Sequence, residues 1–240
     1  MSLSHTEQRT ESGFRLRGTA ISRLEVFSDV IFGLALTLLV VSLQVPKNFS
    51  ELRVSIRGFL PFAICFGLFL LLWHSHYKFF RRYALEDRAT LALNSVLLFL
   101  VLFYVYPLKF LFGALAGDWS GNITSQVRTP AEIPELVLLY GVGFAAAFLL
   151  MAAMHINAWR LREELELNGT ERLITMAMVV DCVGMAGVGL LSCALGLILP
   201  ANYAASAGFV YVLIAPWKML TGIYFGRKIR LLEKLVDAPG

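Results

Sequence analysis

The chain has 240 residues, 58% of them hydrophobic and 16% charged, with a formal net charge of +4 at pH 7 and a mean hydropathy of +0.68. Soluble globular chains carry about 45–50% apolar residues, so this composition excludes an ordinary soluble domain and describes an integral membrane protein. The excess of positive charge gives little support to a nucleic-acid partner, because it follows from where Lys and Arg flank the apolar stretches.

Six such stretches occur, over 24–45, 58–77, 91–113, 136–159, 173–199 and 203–226. At 1.5 Å per helical residue each is long enough to cross a hydrocarbon core of about 30 Å. None alternates polar and apolar residues as a barrel strand does. The expected fold class is therefore all-α, a polytopic membrane helical bundle with six transmembrane helices per chain. Residues 1–20 form a polar N-terminal segment, disordered or an interfacial lead-in, 21–230 the membrane domain, and 231–240 a C-terminal tail. The first apolar run is too long for a signal-peptide core, so it is expected to stay in the mature chain.

With the N-terminus in the cytoplasm, fifteen Lys and Arg, from Arg9 to Lys234, fall on the cytoplasmic side. The other side holds five, Lys47, Arg53, Arg57, Lys109 and Arg128, and Lys218 lies within a span. The positive-inside rule then puts both termini in the cytoplasm.

The first span is charged where it enters the membrane: Arg23, Glu25, Ser28 and Asp29 all lie in its first turns. Intramembrane charge is costly and marks a working site by default. By depth, Arg23 and Asp29 share a level with His74 and His76 at the end of the second span and Asn94 early in the third. A cluster linking Arg23, Asp29, His76 and Asn94 would satisfy each group where water is scarce, either to glue helices together or to support gating. His74 and His76 point about 200° apart on a helix, which argues against a metal site from that pair. On a wheel of 100° per residue, Phe27, Leu34, Leu38, Val41 and Val45 fall within about 60° of one another, with Thr37 at the margin. That apolar face suits lipid or helix packing, and equally a pore constriction that gates by dewetting.

Further along, Gly113 to Pro134, with Gly117, Gly121 and Pro130, reads as a loop. Arg160 to Arg172 reads as a helix overrunning into water. In the last two spans Asp181 and Lys218 come to similar depth if the helices are antiparallel neighbours, predicting an intramembrane ion pair, with Pro216 a candidate kink. Cys65, Cys182 and Cys193 lie inside spans and read as packing residues. The second three spans do not repeat the first three, so a pore on an axis needs several copies of the chain.

Arg23-x-x-x-Phe27-Ser28-Asp29, then Trp73-x-x-His76-x-x-x-Phe80, then Asn94 followed by Pro107 resemble, in order, the pattern of the transmembrane-protein-175 type potassium channels of lysosomes and bacteria. The resemblance covers roughly residues 21–110. It implies a homotetrameric cation channel selective for potassium over sodium, with passive conduction, no carbonyl-lined filter loop and no cofactor beyond the permeant ion. It also implies a constriction at Leu34, Leu38 and Val41 with Thr37 beside them, Arg23, Ser28, Asp29 and His76 supporting the pore helix from behind, and His76 as the pH-sensitive group. Its partners would be the lipid bilayer, potassium ions and copies of itself, and its place the cell membrane as a multi-pass protein. No phosphate-binding Gly-rich loop and no nucleophile triad points to an enzyme. The rival expectations are a proton-coupled small-solute or cation transporter using Asp29, His76 and Asp181, and a non-conducting scaffold.

Overall fold

The computed structural model describes residues 13–18, 20–41, 48–49, 52–53, 56, 59–119, 129 and 131–236. Arg9, Val45, Lys47, Arg57, Gly121, Arg128 and Pro130 lie outside the described residues, as do 1–12 and 237–240. The regular elements are helices: α1 (Arg23–Val41), α2 (Phe59–Tyr83), α3 (Arg88–Trp119), α4 (Glu132–Arg160), α5 (Gly169–Ile198), a 3-10 helix (Ala201–Leu213) and α6 (Ile214–Val236). Among the described residues, five stretches are long and apolar enough to cross a membrane: α1, Arg88–Leu108 within α3, α4, α5, and Ala201–Leu232 across the 3-10 helix and α6. α2 is not one of them, and its last ten residues carry His74, His76, Lys78, Arg81 and Arg82.

Helix starts follow local chemistry. The Ser22 hydroxyl accepts from the Glu25 amide at 3.1 Å, and the Asp87 carboxylate accepts from the amides of Ala89 and Thr90 at 3.0 and 3.3 Å. Asn168 and Glu171 form a reciprocal capping box at the start of α5. Each satisfies amide groups that a helix start leaves without an intrahelical partner.

α4 and α5 form the most extensive pair. Gly141 and Gly189 let them approach: a Cβ on Gly141 would stand 2.3 Å from Cys193 Sγ and 2.8 Å from the Gly189 carbonyl oxygen. Small residues at such crossings gain dispersion contact where lipid removes the hydrophobic drive. Cys65, Cys182 and Cys193 are all buried and unpaired. The 3-10 helix packs on α5 and α4, with Ala204 and Ala207 buried one 3-10 turn apart and Ser192 donating to the Ala207 carbonyl at 3.0 Å.

Three boundaries differ from the sequence expectation. α3 continues through Gly113 and Gly117 to Trp119, where a loop was expected, and carries Pro107 inside it. Tyr140 of α4 donates to the Pro107 carbonyl. The Arg160–Arg172 connection is not an overrunning helix: α4 stops at Arg160, and residues 161–166 turn, ending at Glu166 with φ 48°. In the last span the change of helix type comes at Ile214, two residues before Pro216. Pro216 thus falls in the first turn after the change of helix type, where its missing N–H takes one bond from the continuous helical run.

Residues 13–18 of the N-terminal segment pack onto the bundle. Phe14 is fully buried, with its ring edge-on to Tyr83 at 5.5 Å and the Arg82 guanidinium 5.2 Å from its centroid. Arg17 pairs with Glu171 at 2.9 Å and donates to the Leu165 carbonyl at 3.0 Å. The Gly18 amide donates to the Arg81 carbonyl, and Arg81 donates back to that of Gly18. A polar composition did not reveal this seat, because one phenylalanine and two arginines carry it.

Candidate functional site: the first helix and its polar support

α1 divides into two faces. Glu25, Ser28, Phe32, Ala35 and Leu39 are buried, spaced by three and four residues as one side of a helix requires. They face α2 and α3, on which α1 packs. Phe32 meets Phe69 at 5.8 Å and His76 at 5.2 Å between ring centroids. The other side is open: Phe27, Leu34, Leu38 and Val41 are 37–72% exposed, and Thr37 is exposed beside them. The Thr37 hydroxyl donates to the Gly33 carbonyl at 2.8 Å, which leaves its lone pairs turned outward.

Behind the buried face runs a directed chain of hydrogen bonds. The Asn94 amide donates to the Ser28 hydroxyl at 3.0 Å, and Ser28 donates to the Leu24 carbonyl at 2.7 Å. Asn94 Oδ1 is therefore left as an acceptor, and His76 Nε2 meets it at 2.7 Å. With the amide oriented this way, the imidazole proton belongs on Nε2. His76 Nδ1 is buried with no partner. All three side chains are fully enclosed, so each bond of the chain stands in for water that cannot reach it.

The Trp73 indole donates to Asp29 Oδ1 at 2.9 Å, and Phe80 is buried with its ring 4.8 Å from that of His76. Trp73, His76 and Phe80 thus share the α2 surface that supports α1. Two departures stand out. Arg23 does not enter the cluster, because its side chain is exposed at the start of α1, where a guanidinium keeps its hydration. Asp29 is bonded to Trp73 and stands beside the His76–Asn94–Ser28 chain as a separate pair.

The buried Glu25 was not assigned a place by sequence, although its spacing from Ser28 puts both on one helical face. Also unforeseen was a clamp at the start of α3. Asp87 accepts from the Thr90 hydroxyl at 2.5 Å, and the Asn157 amide of α4 donates to both Asp87 oxygens at 3.1 Å. Burial pushes the Asp87 pKa upward, but the bonds from Thr90, Asn157 and the backbone outweigh it and hold the carboxyl below its ordinary value.

Lys218 of α6 donates to Asp181 Oδ2 of α5, and the Trp217 indole donates to the Asp181 carbonyl at 3.3 Å. Asp181 Oδ1 is buried without a partner. Among the described residues α1 packs on α2 and α3 alone, so it makes no packing contact with the helices that carry this pair.

The family model for the endosomal/lysosomal potassium channel TMEM175 matches residues 23–104, which hold all of α1 and α2 and the polar cluster between them and α3. A protein of Marivirga tractuosa named potassium channel is 38% identical over 230 residues, covering 91% of this chain and 93% of that one. The chain belongs to the TMEM175 family. A second relative, named a potassium channel of Chamaesiphon minutus, is 30% identical over 146 residues, 58% of this chain and 64% of that one. Among solved structures, a variant of the potassium channel MtTMEM175 in complex with a nanobody–MBP fusion protein superposes with a TM-score of 0.77 at 34% identity, over 92% of this chain and all of that one. The crystal structure of a lysosomal potassium-selective TMEM175 homologue from Chamaesiphon minutus shares the fold, with a TM-score of 0.59 at 23% identity. Membership of the TMEM175 channels makes this chain a membrane protein of ion transport and not an enzyme.

Proposed function

We propose that the chain forms a potassium channel of the cell membrane that passes potassium in preference to sodium, passively and without a cofactor, through a homotetramer with α1 around the axis. The observation that carries this is the open apolar face of α1, unpartnered along its length while the opposite face is fully packed. Four copies would close that face into a pore, with Leu34, Leu38 and Val41 as constricting rings and Thr37 presenting hydroxyl lone pairs beside them. α2 counts as the sixth span, and the bias of Lys and Arg along the chain supports termini in the cytoplasm.

An apolar ring supplies no ligand for a cation, so ions must shed water to pass it. Potassium, with the lower charge density, sheds water more cheaply than sodium. Ser28, Asp29, His76 and Asn94 hold α1 from behind and fix the width of the ring, and Arg23 borders the cytoplasmic entrance. The decisive test is the reversal potential of the purified channel in a planar bilayer, with potassium on one side and sodium on the other. A reversal near the potassium potential supports the proposal, and Leu34→Ala is expected to shift it toward zero. Saturable flux that needs a proton gradient, with no passive current, would instead favour coupled transport through Asp29, His76 and Asp181.

A further inference from the structure

α5 and α6 touch closely at one level and part below it. A Cβ on Gly184 would lie 2.0 Å from the Trp217 indole, which shows how tightly the helices meet there, and the Asp181–Lys218 pair ties them at the same place. Toward the start of α5 and the end of α6 they leave an open groove of about 470 Å³. Leu173, Met176 and Val180 form one wall, Trp217 and Tyr224 the other, and Lys228 stands at the far end. The Lys228 ammonium is 4.4 Å from the Tyr224 ring centroid, and among the described residues no carboxylate pairs with it.

We infer that this groove holds an anionic glycerophospholipid, one acyl chain lying between α5 and α6 and the phosphate against Lys228. Length supports it: Trp217 to Lys228 spans about 16 Å of helix, which is one leaflet of a hydrocarbon core about 30 Å thick. Charge complementarity selects the headgroup. Arg227, Arg230 and Lys234 lie on the same helix end, and basic clusters where a helix leaves the bilayer attract anionic lipid. Lys228 differs from its basic neighbours in lining the groove, so a phosphate bound there has a tail already seated. The inference rests on the chain spanning a bilayer and is independent of ion conduction.

Native mass spectrometry of the detergent-purified full chain, with phosphatidylglycerol or phosphatidylcholine added, tests it. The phosphatidylglycerol adduct is expected to survive activation energies that strip phosphatidylcholine. Lys228→Ala should weaken retention about fivefold, the effect of one basic residue near a charged headgroup, while Lys228→Arg keeps it. Met176→Trp, which fills the groove from an exposed position, should abolish the preference. Equal retention of the two lipids, or unchanged phosphatidylglycerol retention in Lys228→Ala or in Met176→Trp, overturns the proposal. Loss of potassium current in any variant bears on the channel alone, since lipid retention is read without current.

Discussion

Asn94 connects three helices with one side chain, donating to Ser28 of α1 and accepting from His76 of α2. Replacing it with leucine leaves a buried hydroxyl and a buried imidazole each short of a partner, at a cost of about 1–3 kcal/mol. Asn94→Leu is therefore expected to melt at a lower temperature in detergent, and an unchanged melting point would mean that the chain contributes nothing to stability. Asp87 gives a prediction with a sign. Its carboxyl is held below the ordinary value in the folded protein, so its clamp contributes stability above the unfolded pKa of about 4. That stability is lost as pH falls through the lowered folded value. Melting curves of the wild type and Asp87→Asn should differ at neutral pH and converge as the medium is acidified below the carboxylate range. Shared depth in the sequence pointed to His76 and Asn94, and the family resemblance added Ser28, but Asp87 was missed. Its partner Asn157 lies on a distant helix, and no local spacing joins the two.

At the scale of helices, the Asp181–Lys218 pair fastens α5 to α6. Removing one partner strands a charge in a low-dielectric setting, at about 3–5 kcal/mol. Asp181→Leu alone should sharply lower the melting temperature, and Asp181→Leu with Lys218→Met should recover most of the loss. Equal damage from the single and double variants would show that the attraction between the charges does not matter. The pair was legible because two antiparallel apolar runs fix relative depth. The 3-10 helix was not: an apolar stretch does not say whether its hydrogen bonds close after three residues or four, and the buried Ala204 and Ala207 gain their meaning only against α5. The length of α3 was missed for a similar reason. Gly113, Gly117 and Pro107 weaken a helix locally, yet the helix runs on to Trp119, with Pro107 tied to α4 by Tyr140.

For the whole molecule, an α1 that is packed on one side and bare on the other cannot form a pore alone. The purified particle is expected to have the mass of four chains by light scattering after subtraction of detergent, and a monomer would remove the axial arrangement. The N-terminal seat of Phe14 and Arg17 binds the segment before α1 to the ends of α2 and α5. Phe14→Ala empties a fully buried site, which costs about 3–5 kcal/mol in a packed core. It should lower the melting temperature more than a substitution at any exposed residue of the same segment, and an equal melting temperature would make that seat dispensable.

The membrane class, the helical architecture and the apolar stripe of α1 were determined by the sequence alone, because hydropathy and a period of 3.6 residues are properties of a single segment. The order of the Phe27-Ser28-Asp29, Trp73–His76–Phe80 and Asn94 motifs likewise identified the family before any coordinate did. Tertiary structure alone decided that Arg23 stays outside the cluster, that Asp29 pairs with Trp73, and that Glu25 and Phe14 are buried. It also decided where α5 and α6 part to leave the groove. Each depends on which side chain of one helix stands opposite which of another, and that is settled by the packing of whole helices at once, with no signature in any one of them.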